Sequence, residues 1–476
     1  MTQLQGRRPG DRRVRIERVA PQVFALVAPR RLKPPPSPSL VLVAGFTLLI
    51  AVGTVLLMLP PMAVAGTWTS PLTAFFTATS AVCVTGLVVV DTATHWTPAG
   101  QVVILALIQL GGFGFMTSST LLLFLLVRRR TGLRDRILVQ ESIGAPQMGD
   151  VMAVVRRVAL FTVIAEVAGA IVLAFAFAEA AGLSGPAQAL WWGAFHSISA
   201  FNNAGFDLTG GFQSLIPFAG APQILVPLAV LITLGGLGFA IVADTLAKRR
   251  WKALAVETRI VLLTSLVLVA SGAGLILVLE WGNPSTLGAL PAADRILVAT
   301  FESVSLRTAG FSSRDMASYR DATLFVMMVL IFIGGASGST AGGIKVTTFS
   351  VLLVAIMSAV RGRAWVEAFG RRIPDALVLR AVAVALLSVA FVVLVSLALT
   401  LTADVQFIDA AFEAVSAFGT NGMSTGTTRV VQPIGLIITA LAMFVGRLGP
   451  LTLVIALAAR ARPAAHRPAI ESVRIG

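Results

Sequence analysis

Val84-Thr85-Gly86-Leu87 follows an apolar stretch, 71–83, that is too short to cross a bilayer. The arrangement returns three times: Asn203-Ala204-Gly205-Phe206 after 188–200, Thr308-Ala309-Gly310-Phe311 after 292–305, and Thr420-Asn421-Gly422-Met423 after 406–417. The glycines lie 119, 105 and 112 residues apart. Each half-length stretch carries a phenylalanine near its middle (Phe76, Phe195, Phe301, Phe412), nine or ten residues before the glycine. One such glycine would be weak evidence. Four at matching positions mean four copies of one unit, and four units about an axis enclose a path.

Working outward, each half-length stretch lies between apolar runs long enough to span a membrane. These runs fall near 40–60, 99–127, 152–180, 221–247, 259–281, 322–360, 376–402 and 431–460. The fold expected is an all-α integral membrane protein. Four helix–pore-loop–helix units, eight transmembrane helices plus four re-entrant pore helices, stand in pseudo-fourfold arrangement around one pore. Irregular backbone at membrane depth survives only where protein buries it or water reaches it, so the segment after each half-helix should line a pathway. The units are expected at 39–128, 150–250, 257–361 and 375–461, flanked by a basic segment at 1–38 and a tail at 462–476.

Composition agrees: hydrophobic residues make up 56% of the chain and charged residues 12%. The net charge of +15 could suggest a nucleic-acid partner, but its distribution excludes one. Of 37 Lys and Arg, 30 fall before the first span or at 128–157, 248–259, 361–380 and 460–474, at alternate ends of the spans. That is the positive-inside pattern, with both termini cytoplasmic in a bacterial plasma membrane. The Arg-rich start lacks the short apolar core and cleavage site of a signal peptide. A single cysteine, Cys83, excludes an internal disulfide. Three scattered histidines do not suggest a zinc site.

A dehydrating cation can be held by a ring of backbone carbonyls. Successive carbonyls turn inward only in conformations that are costly to residues with a Cβ and free to glycine. Val84, Thr85, Gly86, Asn203, Ala204, Gly205, Thr308, Ala309, Gly310, Thr420, Asn421 and Gly422 are therefore the candidate selectivity filter, with K+ held by their carbonyls. Asp91, Asp207 and Asp315 are candidates to concentrate cations at the mouth. Glu302 and Glu413 follow the repeat phenylalanines, and Arg307 is the expected partner of Glu302.

The second helices share another landmark 24 to 30 residues after the filter glycines, at Gly111-Gly112, Gly235-Gly236, Gly334-Gly335 and Gly446-Arg447. Small residues there pack helices closely, or else break them around the pore. The third copy runs on as a Gly/Ser-rich stretch through Gly343 to Ile344-Lys345. Such a run holds a helix poorly. An intramembrane loop at 334–345 is therefore the candidate gate, with Gly335, Ser337, Gly338, Ser339, Thr340, Gly342, Gly343, Lys345 and, from the fourth unit, Arg447.

These motifs resemble the Trk/Ktr/HKT superfamily of potassium and sodium transporters, on the branch of the KtrB-type potassium-translocating subunits. The resemblance covers about 38–460. It implies a homodimer with one pore per protomer, and a separate cytosolic ring of nucleotide-binding RCK subunits (KtrA-like) acting on the loop of the third unit. Gly86 stands where sodium-transporting members often carry serine, which favours potassium and leaves Na+ open as an activator. No organic cofactor is implied. The reading is a potassium-uptake subunit driven by membrane potential. The alternative is a Na+-coupled or Na+-permeant member of the same superfamily. A membrane-embedded enzyme would need a nucleophile–base pair or metal ligands deep in the spans, and the sequence offers none.

Overall fold

The computed structural model describes residues 38–129, 148–183 and 185–449. Apart from Pro38, the expected flanking segments 1–38 and 462–476 lie outside the described residues, as does most of the connection at 128–150.

Proline opens many of the helices, at the position where its missing N–H is not needed. In chain order they are α1 (Pro38–Met58), α2 (Pro71–Cys83), α3 (Pro98–Arg129), α4 (Met148–Ala180), α5 (Pro186–Phe201) and α6 (Pro222–Lys248). There follow α7 (Val256–Glu280), α8 (Ala292–Ser305), α9 (Asp321–Phe332), α10 (Val346–Val360), α11 (Asp375–Thr402), α12 (Phe407–Gly419) and α13 (Pro433–Leu448). Among the described residues, one small two-stranded sheet lies between α10 and α11. There β1 (Glu367–Ala368) pairs antiparallel with β2 (Arg371–Arg372), and Phe369 and Gly370 turn between them with φ of 50° and 73°.

Burial separates the helices into two kinds. In α12 every residue from Ala410 to Gly419 is buried, and in α2 every residue from Phe76 to Cys83. The repeat phenylalanines are core residues, each at most 2% exposed. The long helices instead expose large apolar side chains, such as Leu160, Val163, Ile164, Val167 and Ile171 along α4. A surface like that is solvated by lipid, not water.

Among the described residues, five helices, α1, α4, α6, α7 and α11, are long and apolar enough to cross a membrane. The expected span 322–360 is two helices of 12 and 15 residues, because the chain leaves the helix at Ile333 and re-enters it at Val346. The expected span 431–460 is described as helix only from Pro433 to Leu448.

Candidate functional site: a four-segment ring and the loop on its inner side

The half-length helices α2, α5, α8 and α12 are each followed, within three residues of their last turn, by a residue that is not glycine but is left-handed: Val84 (φ 56°), Asn203 (φ 59°), Thr308 (φ 66°) and Thr420 (φ 48°). Two residues on come Gly86, Gly205, Gly310 and Gly422, with φ of 95°, 69°, 80° and 99°. The sequence named all eight as filter candidates but offered a reason for left-handed backbone only at the glycines. A β-branched Val84 carries no propensity signal for such a conformation.

The four segments converge. A Cβ built on Gly86 would lie 2.5 Å from the Ala204 carbonyl oxygen, and one on Gly205 would lie 2.8 Å from that of Ala309. On Gly310 and Gly422 it would overlap the carbonyl oxygens of Asn421 and Thr85. Each glycine thus faces the backbone of the next unit, and the order 1-2-3-4 returns to 1. Glycine is required here twice over, for φ and for space.

The ring is braced from behind by a serine in each half-helix, which sequence reasoning missed. The amides of Thr85, Ala204, Ala309 and Asn421 donate to the carbonyls of Ser80, Ser199, Ser305 and Ser416 at 2.7–2.9 Å. The hydroxyls of Ser80 and Ser416 accept from the Gly86 and Gly422 amides, both at 3.1 Å. Those of Ser199 and Ser305 instead donate to the carbonyls of Phe206 and Phe311, at 2.7 and 2.5 Å. A regular offset of five or six residues from the glycines was the signal available.

The residue after each repeat phenylalanine holds the outgoing strand in three of the units. Glu302 accepts from the amide and hydroxyl of Ser313, both at 2.7 Å. Glu413 accepts from the hydroxyls of Ser424, at 2.7 Å, and Thr428. His196 donates through Nδ1 to the Trp192 carbonyl and accepts through Nε2 from the Leu208 amide. This corrects the expected Glu302–Arg307 pair. Glu302 turns outward to the loop, whereas Arg307, past the end of α8, turns inward and donates to the Gly334 carbonyl at 2.7 Å.

Outside the ring lies a cavity of about 120 Å³ bordered by the four glycines, Asp207, Asp315, Arg314 and Arg429. Two carboxylates and two guanidinium groups therefore share this mouth. Asp91 does not line it; its carboxylate accepts from the Thr94 and Phe212 amides, each at 2.9 Å, and clasps two loops. Burial pushes the Asp207 carboxyl up to about 6.

On the inner side, residues 333–345 form a closed loop. The Gly334 amide donates to Ile344 (2.7 Å) and the Val346 amide to Gly335 (2.9 Å). The loop is strapped to two other units. Ala336 and Thr340 donate through their amides to the carbonyls of Gly236 (2.9 Å) and Gly235 (3.3 Å). The Thr340 hydroxyl donates to Asn203 Oδ1 at 2.8 Å. Arg447, 1% exposed, donates to the Thr340 carbonyl and, at 3.2 Å, to that of Gly111. Lys345 Nζ reaches the Ala341 carbonyl at 2.5 Å.

Gly342 packs on the Thr420 side chain, so the loop touches the ring itself. Of the small-residue landmarks, Gly111, Gly235 and Gly446 let the backbone approach the last turns of α2, α5 and α12, against Val82, Phe201 and Phe418. Of the three helices that carry these glycines, α6 breaks at Gly238 (φ 75°) beside Gly338 and Ser339 of the loop.

A further polar cluster sits behind the second segment. Glu166 of α4, 7% exposed, accepts from Asn202 Nδ2 at 2.9 Å and from Gln109 Nε2 at 3.2 Å. Asn202 adjoins Asn203 of the ring, so an intramembrane carboxylate backs that segment.

A family model described as TrkH, Cation transport protein, matches residues 36–464. The chain belongs to the TrkH cation transport family. Its relatives in that family include the Ktr system potassium uptake protein B of Bacillus subtilis (strain 168), 40% identical over 89% of this chain and 93% of that one. The potassium/sodium uptake protein NtpJ of Enterococcus hirae is 36% identical over 94% of this chain and 99% of that one. The crystal structure of the potassium transporter TrkH from Vibrio parahaemolyticus aligns with TM-score 0.70 at 20% identity, over 90% of this chain and 86% of that one, a likeness of fold. The family is one of membrane cation transporters, not of enzymes.

Proposed function

We propose that the chain is the potassium-translocating subunit of a Ktr-type uptake system in a bacterial plasma membrane, with both termini cytoplasmic. The observation that carries this is the closed cycle of four glycines, each against the carbonyl before the next unit's glycine. In this reading the ring is the filter of a single pore with pseudo-fourfold arrangement. The units are 39–128, 150–250, 257–361 and 375–461. The carbonyls at Val84–Gly86, Asn203–Gly205, Thr308–Gly310 and Thr420–Gly422 replace water around K+. An inside-negative potential drives entry with about 2.3 kcal/mol per charge per 100 mV.

The loop at 334–345 is the gate, closed by Arg447. A cytosolic nucleotide-binding ring and a second copy of the chain complete the assembly. These partners are what the family resemblance implies, and relatives named for a Ktr system support that reading.

Similarity to a potassium/sodium uptake protein favours a second reading, in which Na+ also permeates or activates. Flux of K+ and Na+ into vesicles holding the purified chain tests both. Potassium influx that sodium neither matches nor stimulates supports the first, and equal influx of the two ions overturns it.

A further inference from the structure

Arg307 stands two residues beyond α8, at the depth of the ring, and is 8% exposed. Its Nη2 donates to the Gly334 carbonyl, but its Nε and Nη1 meet no acceptor. A guanidinium keeps its charge, and leaving part of it unpaired away from water is costly. Arg307 lines a cavity of about 40 Å³ between α6 and α7, with Thr233, Gly236, Ser265 and Gly335 in its walls. Thr233 is exposed on the lipid-facing flank of α6. It also borders an apolar groove of about 340 Å³ between α6 and α8, walled by Val226, Ala229, Val230, Leu297 and Phe301. Groove and cavity together make a lateral recess that is apolar along its length and cationic at its end.

We infer that this recess binds a single-chain anionic amphiphile, a long-chain carboxylate, with its head group on Arg307 and its tail along α6 and α8. Charge and size choose this occupant. The planar guanidinium is matched to a carboxylate, and the cavity of about 40 Å³ suits a compact head group. A phosphodiester carrying glycerol and two chains does not fit there. Moving the tail from lipid into an apolar groove gains little, since both are apolar, so the head group must decide binding. The same guanidinium holds the first glycine of the 333–345 loop, which places the occupant one hydrogen bond from that loop.

The test uses the full chain in phosphatidylcholine vesicles, labelled with an oleate analogue carrying a photoreactive group in its tail and mapped by mass spectrometry. Adducts are expected on 225–234 and 297–301. Excess oleate should compete at least tenfold better than oleyl alcohol, which has the tail without the charge. Ala229→Trp, which fills the groove and leaves Arg307 in place, should cut labelling at least tenfold.

Labelling spread evenly over the outer helices, equal competition by the alcohol, or full labelling of Ala229→Trp overturns the assignment. So does a recess covered by a second copy of the chain, seen as absent adducts with cross-links between copies. Labelling does not depend on which ion is carried, so failure of this site and failure of the potassium reading are told apart.

Discussion

Val84, Asn203, Thr308 and Thr420 hold left-handed backbone at about 1–2 kcal/mol each, and their neighbours keep them there. The braces are local, so their loss should be local. Ser80→Ala together with Ser416→Ala strips the buried Gly86 amide and the part-buried Gly422 amide of their hydroxyl acceptors, at about 1–3 kcal/mol for the buried one. The expected result is a folded protein with weaker apparent potassium affinity in transport assays; unchanged affinity would show that the hydroxyls only fill space. Serine at Gly86, Gly205, Gly310 or Gly422 puts a Cβ into the next unit's backbone. Potassium-over-sodium discrimination should fall about tenfold, or about 1.4 kcal/mol, as read by competitive flux; preserved discrimination in all four would remove them from the filter.

Asp207 gives a pH signature. Because burial raises its carboxyl to about 6, it is charged at pH 7.5, and the mouth loses that negative charge as pH falls through about 6. Apparent potassium affinity should weaken over this range in the parent and stay flat in Asp207→Asn. A parallel decline in both would assign the effect to another group.

At the level of elements, the loop between α9 and α10 is held by side chains from other units, and this decides what its removal does. Deleting 337–342, or Arg447→Ala, should raise basal potassium flux several-fold and weaken dependence on a cytosolic partner, while selectivity survives in the ring. Well-folded variants with the parent's low flux would make the loop scaffold. Much of this element was legible in the sequence, because a run of Gly and Ser inside an apolar span cannot stay helical. Its moorings were legible only in part, since Arg447 was named with the loop but neither its acceptor nor the role of Arg307 was. Arg307 finds Gly334 across 27 residues, and Arg447 finds Thr340 across 107; no local pattern encodes such meetings. The break in α6 falls at Gly238 rather than at Gly235-Gly236, because Gly235 is spent on packing against Phe201. The glycine spacing revealed the ring, whereas Ser80 and Ser416 needed three dimensions to be seen as braces.

For the whole molecule, the reading with 30 of 37 basic residues at alternate ends places the β1–β2 hairpin on the cytoplasmic side. A cysteine introduced at Arg371, an exposed position, should resist an impermeant thiol reagent added to intact cells and react after permeabilisation. Cys83 is buried and should stay silent in both. Labelling of Arg371→Cys from outside would invert the orientation.

Among the described residues, the second helix of the third unit gives way to a whole loop beside the ring, and that loop touches both the second segment, through Asn203, and the fourth, through Thr420. A conductance built from four identical subunits can open quadrant by quadrant and show partial current levels. On the gate proposed above, one obstruction serves all four quadrants, so electrical recordings from a single protomer should step between shut and one open amplitude.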